Sequence, residues 1–293
     1  MSLLFCAYFT RAALKLSVMS EFPRRIVCLT EETTETLYRL GEQDRIVGIS
    51  GFTVRPPEAR REKPRVSAFT SAKIGKILAL EPDLVLGFSD LQADIAAELV
   101  RHGVEVHVFN HRTVAGILRM IRTLGAMIGE PAKAERLAQE LSGNVARIER
   151  QAAALPRRPR VYFEEWDEPM ITGIGWVCEL VRSAGGDDVF PERSRETLAK
   201  NRILSGPEEV ARRAPDMIIG SWCGKKFRPE KVAARPGFDA VPAVVHGELH
   251  EVKSSIILQP GPAALTDGIA ELHRLIARWA LPETPKHERV RHG

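Results

Sequence analysis

The sequence predicts an α/β protein of two lobes, each built on a parallel central sheet, with one long α-helix joining them. Three observations carry that prediction. Short apolar runs alternate with helical stretches along the chain, one segment of the first half recurs in the second, and a proline-free amphipathic stretch lies between the halves. The length of 293 residues agrees, since a single domain usually holds roughly 100–200.

Residues 1–23 precede the first strand as an N-terminal extension. Leu3 to Phe9 is apolar, but Arg11 and Lys15 come after it, whereas a secretory leader carries its positive charge ahead of the apolar core. Cys6 follows Phe5 rather than the small residue that lipoprotein processing prefers. The stretch is also too short to cross a membrane. Met19 lies just before Glu21-Phe22-Pro23, so a misassigned start is the alternative to a real extension. With no leader legible, the expected compartment is the cytoplasm.

The first lobe spans 24–129. Ile26-Val27-Cys28-Leu29 reads as a buried strand, and Thr33 to Leu40 as a helix stopped by Gly41. Ile46 to Ile49, Leu84 to Leu86 and Val104 to Phe109 are further short strands, each after a helical stretch. The recurring segment is Ile77 to Gly87, answered by Val210 to Gly220. Both read as a helix end, a Pro-Asp turn and a strand that stops at glycine, the proline pushing the residue before it out of the α region. Arg25-Ile26-Val27 is echoed by Arg160-Val161-Tyr162, and Gly103 to Val108 by Gly247 to Val252. A second lobe of the same kind therefore occupies 158–281.

Residues 130–157 form the link. Leu137, Leu141, Val145 and Ile148 fall at helical spacing. A helix of about 25 residues is a rod of nearly ~40 Å, stiff enough that large hinge closure is not expected. Pro156 and Pro159 end it, and 282–293 form a polar, frayed tail.

Composition excludes several functions. Lys and Arg are scattered, and the net charge is +4, so no patch invites nucleic acid. Cys6, Cys28, Cys178 and Cys223 make neither a CxxC pair nor a zinc pattern. His102, His107 and His111 cluster near one strand without a loop histidine to complete a metal site, and Gly173-Ile174-Gly175 is too short for a dinucleotide loop. No intrinsic cofactor is expected.

In open parallel sheets, ligands bind beyond the carboxyl ends of the strands. The loops so selected hold Thr30-Glu31-Glu32, Phe52, Arg55, Phe69, Phe88, Ser89 and Asp90 in the first lobe. In the second they hold Glu164 to Glu168 around Trp166, then Trp222, Cys223, Lys225, Lys226 and Arg228, and Ser254 to Gln259. Aromatics make up only 6% of the chain, yet Phe52, Phe69, Phe88, Trp166 and Trp222 all fall here. Each brings about 150–250 Å² of contact, which suits a large, flat, partly apolar ligand. The expected ligand site is Phe52, Arg55, Phe69, Phe88, Ser89, Asp90, Glu165, Trp166, Trp222, Cys223, Lys225 and Gln259. The acidic and basic loops of the second lobe either hold the ligand's polar groups or pair with each other. Trp176 is expected to pack within its own helix. Cys223 beside lysines would be an activated thiol, though no base accompanies it.

The run Arg25 to Leu37, then Ile46-Val47-Gly48-Ile49-Ser50 with Arg55-Pro56-Pro57, resembles the opening of cobalamin-binding proteins. Lys63-Pro64-Arg65-Val66-Ser67 and the Leu-x-Pro-Asp-Leu-Val core of Ile77 to Gly87 continue the likeness over about 24–281. The family is that of the substrate-binding proteins of cobalamin and iron-siderophore ABC importers. The resemblance implies two Rossmann-like lobes on one long helix, a periplasmic setting, an ABC permease as partner, and a corrinoid or iron-siderophore as ligand. It also implies that Phe52, Phe69 and Phe88 contact that ligand and that Glu208 docks on the permease. The matching first-lobe docking position is Gly75, a departure that sets permease docking in question. Two alternatives to binding remain: an enzyme using Cys223 or Glu164 to Glu168, and a sensor or scaffold with a protein partner.

Overall fold

The computed structural model describes residues 21–281, so the readings of the N-terminal extension before Glu21 and of the tail lie outside the described residues. The first lobe runs β1 (Ile26–Cys28), α1 (Glu31–Arg39), β2 (Ile46–Ser50), α2 (Pro57–Glu62), β3 (Arg65–Ser67), α3 (Ile74–Leu78), β4 (Leu84–Phe88), α4 (Ala93–Arg101), β5 (Val106–Phe109) and α5 (Val114–Met127). Its strands pair in the order β3-β2-β1-β4-β5, all parallel. The strands are short and buried between helices, hence their continuous Val and Ile runs.

The link is α6 (Pro131–Ala153), with Pro131 in its first turn and Leu137, Leu141, Val145 and Ile148 on its buried face. The second lobe holds β6 (Arg160–Asp167), β7 (Met170–Thr172), α7 (Gly175–Ser183), β8 (Asp187–Asp188), α8 (Glu208–Arg213), β9 (Met217–Gly220), α9 (Pro229–Ala233), α10 (Pro242–Val245), β10 (Leu249–Glu251), α11 (Ser254–Ile257) and α12 (Ile269–Ala280). Here β10, β9 and β8 run parallel to their neighbours, but β7 is antiparallel to β6. The difference from an all-parallel sheet follows from the length of β6. Its far half outruns β8, and the chain doubles back to cover that edge.

The sequence repeat is also a repeat of contacts. The Asp83 carboxylate accepts from the backbone N–H groups of Arg24 and Arg25 at 2.7 and 2.8 Å, and Asp216 accepts from that of Arg160 at 2.9 Å. In return the Arg25 guanidinium donates to the Leu80 carbonyl and that of Arg160 to the Arg213 carbonyl, both at 2.6 Å. Each Pro-Asp turn thus clamps the start of the central strand to the end of the preceding helix. The residues before the prolines, Glu81 and Ala214, take φ of 46° and 43°, the left-handed turn that ends a helix abruptly. The repeated glycines admit close neighbours. A Cβ on Gly87 would lie 2.9 Å from Gln92 Oε1, and one on Gly220 2.0 Å from the Phe227 ring. The first strand does not stop at its glycine, because Phe88 still pairs with Phe109.

One continuous buried cluster runs from Ile26 and Leu86 through Leu141 and Val145 of α6 to Val161, Met217 and Ile276. The lobes share a core across the link, and that core resists their separation more than a bare connecting rod would.

Candidate functional site

A cavity of about 300 Å³ lies between the lobes, beyond the carboxyl ends of their strands. The first lobe contributes Thr30 to Glu32 after β1, Ser50 and Phe52 after β2, Phe69 after β3, Phe88 to Leu91 at the end of β4, and Arg112 after β5. Gln92 organises this wall. Its buried side-chain carbonyl accepts from the Phe88 N–H at 2.9 Å, while its NH2 donates to Phe69 O at 2.9 Å and to Leu29 O at 3.4 Å. One amide thus ties three strand ends together and sets the backbone behind two of the rings. Ser89 turns the chain at φ 66°, with its hydroxyl accepting from the Leu91 N–H.

Phe88 is the pivot of the aromatic wall. Its ring meets His111 edge-on at 5.2 Å and Trp176 at 6.3 Å, with the Arg112 guanidinium 5.0 Å above it. His111 Nε2 lies 2.9 Å from Pro260 O and therefore carries the hydrogen. Burial holds its pKa down to about 4, so it stays neutral. Arg112 donates to Thr197 O of the second lobe at 3.0 Å, and Glu179 accepts from the Val114 N–H at 2.6 Å. These bonds cross the cleft and hold its width. At the mouth, Phe52 is 51% and Phe69 36% exposed, leaving both rings free for a ligand.

From the second lobe come Glu165, Trp166, Ile171, Ile174, Trp176, Thr197, Ala199, Arg202, Cys223 and Leu258 to Pro260. A register shift in the β6–β7 pairing between Glu164 and Trp166 breaks strand alternation. Glu165 and Trp166 therefore both reach the cavity. Arg202, 1% exposed, ion-pairs with Glu165 at 2.5 Å and donates to Thr172 O.

Of the twelve residues selected from the sequence, Phe52, Phe69, Phe88, Ser89, Asp90, Glu165, Trp166, Cys223 and Gln259 line this cavity. Trp222, Arg55 and Lys225 do not. Trp222 is 3% exposed and packs on Phe227 behind the wall, its indole N–H donating to Glu164 at 3.0 Å. Glu164 is itself fully buried, ion-paired with Arg235 at 2.5 Å and accepting from Tyr162 at 3.0 Å. A buried carboxylate of this kind demands several donors, and it draws Trp222 inward. Arg55 bridges the lobes instead, pairing with Glu35 at 3.3 Å and Asp267 at 2.9 Å. Lys225 pairs with Asp167 at 2.5 Å and sits over Trp166, so these loops partly neutralise each other.

Two residue roles also change. Trp176 does sit in the first turn of α7, with its N–H on Ile257 O, but it lines the cavity as well. Its place beyond the end of the β6–β7 hairpin was the available signal. Cys223 is exposed as a residue, yet its thiol pKa is raised, first by partial desolvation at the cavity wall and then by Glu31 and Glu165, while Lys225 turns to Asp167. It is therefore the reverse of an activated nucleophile. The sequence reading left Glu31, Glu32, Arg112 and Arg202 out of the ligand site. Among the described residues no three His, Cys, Asp or Glu side chains gather closely enough to hold a metal ion.

On the outer face of the second lobe, Glu208 is exposed in the first turn of α8 without an ion-pair partner among the described residues. The matching position of the first lobe is Gly75 in α3, flanked by exposed Lys73 and Lys76. No helix among the described residues is long and apolar enough to cross a membrane.

Comparison with known proteins fits this geometry. The chain is 26% identical over 219 residues to the vitamin B12-binding protein of Vibrio parahaemolyticus, covering 74% of this chain and 77% of that one. Its fold matches the vitamin B12-binding protein of Vibrio cholerae with a TM-score of 0.70 at 21% identity, over 88% of this chain and 98% of that chain. A periplasmic heme-binding protein from Pseudomonas aeruginosa matches with a TM-score of 0.76 at 19% identity, over 90% and 96%. Residues 26–255 match the family model described as "Periplasmic binding protein". The chain belongs to the periplasmic binding protein family.

Proposed function

We propose that this chain binds a corrinoid or another flat metal chelate in the inter-lobe cavity, as the ligand-capturing component of an ABC importer or as a relative of one. The observation that carries the reading is the aromatic cavity itself, with Phe52, Phe69, Phe88, Trp166 and Trp176 lining it from both lobes. Rings on two sides match the two faces of a macrocycle. A flat ligand too large for about 300 Å³ would extend into the mouth, where Phe52 and Phe69 are exposed. Relatives named for vitamin B12 support the choice of ligand.

On this reading the chelate is cargo and not a resident cofactor, and the protein performs no chemistry on it. Cys223 has its thiol pKa raised, and Glu165 is engaged by Arg202. His111, with its pKa down at about 4, hydrogen-bonds Pro260 O. General acid–base work needs a group poised near the working pH and within reach of substrate. In this cavity Glu31 and Glu32, at about 8 and about 7, are the groups to which turnover would point. Glu208 is the one family-type docking carboxylate, and Lys73 and Lys76 beside Gly75 would oppose a permease arginine. Docking is therefore expected through the second lobe.

The test is calorimetric titration of the protein with cyanocobalamin, haemin and a ferric siderophore, beside the Phe88→Ala variant. One-to-one binding at micromolar affinity or tighter, weakened in the variant, supports the reading. Absence of binding to all three removes the ligand class. Turnover of a bound chelate would favour the enzyme alternative.

A further inference from the structure

Two glutamates lining the cavity are only partly satisfied. Glu31 and Glu32 open α1 and line the cavity at 6% and 1% exposure, and each has one carboxyl oxygen, Oε2, that is buried without a hydrogen-bond partner. Glu32 Oε1 is engaged only locally, by the Thr30 hydroxyl at 2.5 Å. Exposed Arg60 acts on Glu31 only through space, and three nearer-lying cations are committed elsewhere. Arg202 is paired with Glu165, Arg112 with Asp90 and two carbonyls, and Arg55 with Glu35 and Asp267. The helix start favours negative charge only modestly. A buried polar atom without a partner is costly in the empty protein, and its cost is relieved when a ligand supplies a donor.

We propose that Glu31 and Glu32 make the cavity selective for a macrocycle edged with hydrogen-bond donors, such as primary carboxamides, against one edged with carboxylates. The proposal rests on the chelate-binding reading and deepens it. A carboxamide serves the two unpartnered oxygens in either state, its N–H2 donating to them when they are ionised and its carbonyl accepting from them when they are protonated. A ligand carboxylate brings only acceptors and negative charge into a low-dielectric site, where like charges repel far more than in water. Burial lifts Glu31 to about 8 and Glu32 to about 7, so the contrast is sharpest above that range.

The experiment compares dicyanocobinamide, whose corrin ring carries amides, with dicyanocobyrinic acid, the same ring with free carboxylates, at about pH 9. Expected is binding of the amide form at least ~100-fold tighter, and at least a ~10-fold collapse of that ratio in Glu31→Gln/Glu32→Gln, with far-UV circular dichroism reporting the fold. Wild-type affinities within about tenfold of each other overturn the selectivity while leaving the chelate reading in place. An undiminished preference in the double variant overturns its assignment to these glutamates. If neither corrin binds, the ligand reading and this inference fall together.

Discussion

Replacing Gln92 by methionine tests how the first-lobe wall is held. The side chain is fully buried and makes two hydrogen bonds of 2.9 Å, to Phe88 N–H and Phe69 O, and a weaker one of 3.4 Å to Leu29 O. Methionine fills a similar volume but leaves a buried N–H and two carbonyls without that partner. Each orphaned backbone group costs about 1–3 kcal/mol, and the long bond contributes least, so about 3 kcal/mol is expected. For a chain of this size that is a fall of roughly 5 °C in Tm. The rings of Phe69 and Phe88 lose their common anchor, so ligand affinity should fall as well. Urea unfolding and ligand titration of the same sample measure both effects, with Gln139→Met on the exposed face of α6 as control, expected within about 0.5 kcal/mol of wild type. A loss below about 1 kcal/mol would refute the assignment of Gln92 as the tie. A large stability loss with unchanged affinity would refute its role in placing the rings.

Other outcomes follow from the same geometry. Trp222→Phe should leave ligand affinity unchanged and cost about 1–2 kcal/mol in urea melts, because it removes a donor to Glu164 behind the wall. Arg235→Met strands the fully buried Glu164 carboxylate and should cost about 3–5 kcal/mol, and Glu164→Leu added to it should recover much of that loss. Two opposed linkages shape the stability of the unliganded protein. The two glutamates outweigh the one histidine where they overlap, and the alkaline limb above about pH 6.5 is theirs alone. Native Glu31 and Glu32 keep protons up to about 8 and about 7, while unfolded glutamates release theirs near ~4.3, so stability falls as pH rises through that window. Native His111 titrates at about 4 against ~6.5 when unfolded, so its contribution is lost as pH falls between those values. Urea midpoints against pH should show the alkaline limb flattened in Glu31→Gln/Glu32→Gln; an unchanged limb would contradict the burial of these acids.

The fold was legible because its determinants are local and occur twice. The Pro-Asp turns at Asp83 and Asp216 write a helix end and a strand start into adjacent residues, and the stripe of Leu137, Leu141, Val145 and Ile148 writes out α6. Loops chosen by the strand-end rule supply nine of the twelve selected residues to the cavity lining. Which side of each loop faces inward was not legible, because that depends on partners distant in sequence. Trp222 turns away toward Glu164, 58 residues earlier, and Arg55 is captured by Asp267 of the other lobe. Glu165 and Trp166 share one face only because pairing shifts at that point in β6. Four consecutive polar or aromatic positions carry no mark of that shift.

The most direct test of the cavity uses the four tryptophans, of which Trp166 and Trp176 line it while Trp222 and Trp279 do not. Cyanocobalamin absorbs where tryptophan emits, so its binding is followed as fluorescence quenching, with Trp166→Phe/Trp176→Phe beside the parent protein. Expected is saturable quenching at micromolar concentrations or below, with affinity weakened in the double variant. Saturable quenching of equal affinity in both proteins would place the ligand elsewhere, and quenching that never saturates would contradict the inter-lobe cavity as a corrinoid site.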